Sequence, residues 1–208
     1  YAWHPDYKTD ISWENSDMYK GLNGSYFLTS AKYDYLQNTE WSNRIENWTW
    51  SAVNTKTYDG SNGPNYYISL TPGQIYLHEM NRSTKTSTVG EWTTPSAKIG
   101  LMYASDYTLS LGSSALAITG STSANKAILK TGWMHQNNND TTKSSDEWTL
   151  SRYGIFSVNF FAWSVVNSGS VFRDNVSSYS AVRPVFYLTS NQAILGGNGS
   201  LDDPFMIQ

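Results

Sequence analysis

Ile155-Phe156-Ser157-Val158-Asn159-Phe160-Phe161-Ala162-Trp163-Ser164-Val165-Val166 is a run of aromatic, β-branched and small residues with no proline and no charge. Such residues suit a pleated, half-buried strand. On a strand, alternate side chains point to opposite faces. One face carries Ser157, Asn159, Phe161, Trp163 and Val165, and the other Phe156, Val158, Phe160, Ala162, Ser164 and Val166. Pattern alone buries the second, more apolar set. Trp148 to Arg152 precedes the run as a further strand candidate, and Ser170 to Arg173 and Ala181 to Leu188 follow it. Asn167-Ser168-Gly169 fits a hairpin turn. Gly196-Gly197-Asn198-Gly199 reads as another turn, and Pro204 to Ile207 as a last extended piece. The chain is therefore nearly all β from Glu147 onward.

Upstream the reading is mixed. Ser12 or Ser16 is placed to cap a short helix through Met18, Tyr19 and Leu22, ended by Gly21 and Asn23-Gly24. Tyr33, Leu36, Trp41 and Ile45 recur at near-helical spacing, which predicts a helix over Ser30 to Ile45. Trp48 and Trp50 alternate with polar residues like a strand. Asp59 to Asn65 is a loop, Asn81 to Pro95 an exposed excursion, and Ala97 to Tyr103 a short buried strand. Ser105-Asp106 is positioned to cap one more short helix. Gly112 to Asn125 is small and polar, and Asn137 to Thr142 reads as a solvated loop. No repeat or linker divides the chain. The expectation is one α+β domain over residues 1–208, with short helices in the N-terminal half and an antiparallel, β-rich C-terminal half.

Composition narrows the function classes. Charged residues make up 15% of the 208, against a usual share of about 25%. Ser (29), Thr (20) and Asn (18) take their place, beside 9 Trp and 15 Tyr. A polar, uncharged surface of this kind is expected outside the cell. Net charge is −3, and the 14 Lys and Arg form no block, so neither a nucleic-acid footprint nor affinity for anionic membranes is expected. There is no cysteine, which excludes disulfides, Cys-ligated zinc and a thiol nucleophile. No apolar run approaches the roughly 20 residues that span a bilayer. The opening Tyr1-Ala2-Trp3-His4-Pro5 reads as a mature or excised chain, so an anchor or signal would lie upstream.

Lys98-Ile99-Gly100-Leu101-Met102-Tyr103-Ala104-Ser105-Asp106-Tyr107 opens a wider pattern. It continues through Glu147-Trp148-Thr149-Leu150-Ser151 and Ala162-Trp163-Ser164-Val165 with Ser168-Gly169. It closes on Val182-Arg183-Pro184-Val185-Phe186-Tyr187-Leu188 and on Gly197-Asn198-Gly199-Ser200 before Asp203-Pro204-Phe205. In these motifs the chain resembles exported surface and pilin-associated proteins of gut Firmicutes. Their C-terminal domain has the C-type-lectin fold, in the subtype shared by formylglycine-generating enzymes and retroelement-diversified variable proteins. The likeness covers residues 98 to 208 and, more loosely, Trp13 to Trp50. It implies that Trp163 and Val165 are core, which turns Phe156, Phe160 and Val166 outward. Alternation and resemblance thus disagree about which face is buried.

The resemblance also implies a ligand surface in the last β segment: Tyr153, Phe156, Phe160, Ser164, Val166, Ser170, Phe172, Arg173, Asn175 and Tyr179. In diversified relatives the varied positions fall in this segment. Two departures limit what carries over. Formylglycine-generating enzymes act through cysteines, which are missing here. Gly63-Pro64-Asn65 lacks the carboxylate of the calcium-lectin motif.

Catalysis is not expected. His4, His78 and His135 form no metal-spaced set, and no nucleophile elbow or phosphate loop occurs. Glu46, Glu91, Asp146 and Glu147 sit in no glycosidase signature, and His78-Glu79 reads as an exposed polar patch. Neither a cofactor nor a metal site is expected. The expected partner is a protein or glycan on another cell surface, with a filament subunit or a phage receptor-binding protein as the alternatives.

Overall fold

A computed structural model describes residues 2–3, 12–24, 39–56, 76, 79, 92–93, 95–110, 146–154, 161–165, 171–200 and 202–207. At 39–41, 52–56, 92–93, 108, 152–154 and 171–173 only the backbone is described. The predicted segments Asp59 to Asn65, Gly112 to Asn125, Asn137 to Thr142 and Ile155 to Phe160 lie outside these residues. So do all three histidines.

Near the start, Trp13–Asn15 forms a 3-10 turn and Asp17–Asn23 helix α1. Ser16 caps α1: its hydroxyl oxygen accepts from the Tyr19 amide at 2.9 Å. The helix buries Met18 and Leu22, one turn apart on one face. Gly21 lies inside the helix, and the chain leaves it at Gly24. Helix α2 spans Thr39–Arg44 and ends one residue before Ile45, which bridges to Leu188 instead.

The main sheet has five strands: β2 (Ala52–Lys56), β3 (Trp92–Thr93), β6 (Glu147–Gly154), β7 (Phe161–Val165) and β8 (Val171–Asn175), in the order β3-β2-β6-β7-β8. Three of its pairings are antiparallel, but β2 runs parallel to β6, with Thr55 opposite Tyr153. The sheet is thus not confined to the C-terminal half, since residues 52–56 and 92–93 supply two of its strands.

Smaller pairs surround it. β1 (Trp48–Thr49) pairs with β4 (Ser96–Ala97), and β5 (Gly100–Leu101) with β9 (Pro184–Val185). β10 (Ile194–Gly196) pairs with β11 (Met206–Ile207). The strand expected over Ala97 to Tyr103 is therefore two short pieces with different partners. Ala181 to Leu188 likewise contributes one two-residue strand and single bridges at each end, because Pro184 has no amide to continue a ladder.

Both faces are covered at residues 147–151 of β6 and 162–165 of β7. On one lies a tryptophan-rich core of Trp3, Trp13, Trp50, Trp148, Leu150 and Ala162. Trp3 stands edge-on to Trp148 at 6.0 Å and 5.4 Å from Trp13. Trp50 is fixed by its indole N–H donating to the Ala97 carbonyl at 2.9 Å. It presses so closely on Gly100 that a Cβ there would enter its ring. The other face meets helix α3 (Ala104–Leu109), where Tyr107 and Val165 pack with Met102. The described chain is α+β. Among the described residues no helix is long and apolar enough to cross a membrane.

Candidate binding surface

Register sets out the expected ligand residues. Thr55 on β2, Tyr153 on β6, Phe161 on β7 and Asn175 on β8 form one continuous cross-strand row near one end of the sheet. Cross-strand neighbours lie about 5 Å apart. Two predicted residues, Tyr153 and Asn175, are thus brought together with Phe161 between them. In the next positions along β8, Arg173 stands opposite Trp163 and Phe172 opposite Ser164. Phe156, Phe160, Val166 and Ser170 lie outside the described residues.

Ser164 does not belong to an exposed surface. It is fully buried, as are Ala162 and Trp163, and Val165 is buried too. Alternation and resemblance each assigned one face of this strand to solvent. With helix α3 on one side and the tryptophan core on the other, neither face of residues 162–165 is free. Trp48 differs in the opposite sense. Read with Trp50 as part of one strand, it is 45% exposed while Trp50 is buried, and its ring lies 4.6 Å from that of Tyr187.

The turn after β8 is held by its own side chains. Asp174 Oδ1 accepts from the Asn175 amide at 2.7 Å and from the Ser178 hydroxyl at 2.9 Å. Asn175 Oδ1 accepts from the Ser177 amide and hydroxyl at 3.0 and 2.9 Å. Asx contacts of this kind fix a turn locally. They lead to Tyr179, whose ring is 84% exposed. A two-χ aromatic on a braced turn offers contact area at low entropic cost.

At the opposite end of β6 from Tyr153 lies a buried charge network. Glu147 is buried and receives Arg183 in a forked pair, Nε to Oε2 at 3.0 Å and Nη2 to Oε1 at 2.9 Å. The Tyr107 hydroxyl donates to the same Glu147 Oε2. Burial, with the Glu147 charge beside it, pushes the Tyr107 hydroxyl well above the usual phenol range. The network ties α3, β6 and the Arg183 segment together.

Glu79 corrects another expectation. The carboxyl read as part of an exposed patch is fully buried. It accepts from the Ala104 amide at 3.1 Å, the Ser105 amide at 2.9 Å and the Ser151 hydroxyl at 3.0 Å. It thereby caps α3 from outside that helix. Nothing local in the sequence signals this, because the donors lie 25 to 72 residues away. Among the described residues no group of three or more His, Cys, Asp and Glu side chains is arranged to hold a metal. The Asp59 to Asn65 loop lies outside them.

Comparison of the chain with family models, with curated proteins and with solved structures finds no match.

Proposed function

We propose that this chain is a non-catalytic, C-type-lectin-like binding domain that acts outside the cell and recognises a protein or glycan on another surface. The observation that carries the reading is the backbone row from Thr55 to Asn175, near one end of a sheet that is buried at residues 147–151 and 162–165, with the exposed Tyr179 following it. A sheet whose end carries aromatic and amide residues, with a further aromatic exposed on a braced turn, suits recognition. Polar character without net basicity fits a neutral or protein ligand better than an anionic polymer. The binding surface is drawn from Tyr153, Phe172, Arg173, Asn175 and Tyr179, without Ser164.

The test is a protein and glycan array probed with the parent domain, followed by Tyr179→Ala, Phe172→Ala and Arg173→Ala on whatever binds. Loss of an aromatic or Arg anchor typically costs about 2 kcal/mol or more, roughly 30-fold in affinity. Melting should barely change for Tyr179→Ala, given its exposure. Full affinity in all three variants would move the surface elsewhere.

A structural-subunit reading has its own support. The β10–β11 ribbon exposes Ile194, Leu195, Phe205 and Met206, an apolar set suited to self-assembly.

A further inference from the structure

Glu79 is fully buried, and its hydrogen-bond donors are all neutral. Two amides come from the first turn of α3 and one hydroxyl from β6. The carboxyl itself is carried by a helical residue, as Tyr76 is. No Lys, Arg or His among the described residues bonds to it. Among the described residues, the ionisable groups nearest it are acidic or already committed. On α3, Asp106 opposes its charge, while accepting from the Tyr103 amide at 2.8 Å. Farther along β6, Glu147 is held by Arg183 and Tyr107.

A carboxylate removed from water with no cation beside it is relieved by taking up a proton. The site accommodates that step. Ser151 donates to Glu79 Oε1 now, and a serine hydroxyl can turn to accept instead. The neutral acid therefore has an acceptor for its own proton, whereas the carboxylate, buried with neutral donors alone, still lacks a countercharge. An exposed helix cap has no such choice and stays ionised near neutrality.

We propose that Glu79 is a proton-operated latch: with its proton it holds α3 against β6, and as the proton is lost the contact loosens. Burial pushes the carboxyl up to about 7, opposed by the bonds from Ser105 and Ser151 and aided by Asp106. The folded value thus lies above the unfolded one. The stabilisation is fully present below the ordinary glutamate value of 4.5 and is lost as pH rises through about 7. Since α3 packs on β6 and β7, the latch acts on the sheet that bears the candidate surface. It operates whatever that surface binds.

The test uses the intact domain with 13C-labelled glutamate carboxyls, followed by NMR from pH 4 to 9. Glu79 is assigned through its own backbone connectivity. The expected result is a Glu79 midpoint near neutrality, and a midpoint at or below that of an ordinary glutamate overturns the proposal. Urea unfolding at pH 5 and pH 8 gives the second readout. The parent's folding constant should fall by roughly two orders of magnitude between them. Glu79→Gln should lose most of that dependence, and Asp106→Asn, which removes one charge that raises Glu79, should lose only a smaller part. Histidine titrations in the same window cancel in the difference between parent and variant. Equal slopes in parent and Glu79→Gln would also overturn the proposal. Should Glu79→Gln fail to fold, the parent's carboxyl titration decides alone.

Discussion

At Glu147 the consequences of a single atom can be followed. Its two oxygens serve Arg183 and Tyr107 together, so neutralising it leaves a half-buried guanidinium without its anion. Breaking one side of a buried pair typically costs about 3–5 kcal/mol. Arg183 keeps a quarter of its side chain in contact with solvent, so the loss should fall toward the lower end. We expect Glu147→Gln to lower stability in urea unfolding. Removing both charges in Glu147→Gln/Arg183→Met should cost less than the two single losses added, and additive losses would show the pair to be uncoupled. Ser164 gives a sharper residue-scale test. Were it outward, Ser164→Phe would change stability by no more than about 0.5 kcal/mol. Because it is fully buried, overpacking should cost about 1–3 kcal/mol, read as a clear drop in melting temperature. Trp163→Ala should cost about 3–5 kcal/mol. Alternation buried the face of Ser164 and the resemblance that of Trp163, each giving the other face to solvent, and both residues are buried. Alternation assumes one wet face, and a strand between two neighbours with layers above and below has none.

At the scale of elements, legibility followed the distance over which each element is determined. Helix α1 was readable because its cap, its buried pair and its stop lie within nine residues, from Ser16 to Gly24. Ser16→Ala should cost about 1 kcal/mol or more in a thermal melt, since the same hydroxyl also donates to the Trp13 carbonyl at 2.7 Å. The strand Ala52–Lys56 was not readable. Its alternation is weak, and what holds it is a parallel partner about 100 residues later. The Lys98 to Tyr107 motif was seen as a unit, yet it divides between β5, which pairs with β9, and α3, which packs on β6 and β7. Gly100 explains part of that division. It lets Trp50 lie directly on the backbone, so Gly100→Ala must displace either the indole or β5. A variant that melts like the parent would show that the packing there is looser than described.

For the whole molecule, the sheet leaves no place to cut. Its strands come from residues 52–56, 92–93 and 147–175, and Trp3 packs against Trp148 from the far end of the chain. Fragments 1–145 and 146–208 should therefore each lack a cooperative melt, and a fragment 1–145 that unfolds cooperatively would establish a second domain. Among the described residues, the most exposed apolar cluster lies in one ribbon. In the β10–β11 ribbon, Ile194 is 66% exposed, and Leu195, Phe205 and Met206 are each more than half exposed. The turn between these strands is specified in detail. Gly197 and Gly199 take positive φ, and the amides of Asn198 and Gly199 both donate to the Asp203 carbonyl. The ribbon is thus held in shape while its side chains face water, an arrangement that favours contact with another surface. Should copies of the chain supply that surface, sedimentation velocity will show reversible association that strengthens with concentration. Leu195→Glu and Phe205→Glu, which leave the turn intact, will then return the protein to monomer. Association that survives both substitutions would place the contact elsewhere. A parent that stays monomeric at its highest soluble concentration would remove the structural-subunit reading and leave the ribbon to a different partner.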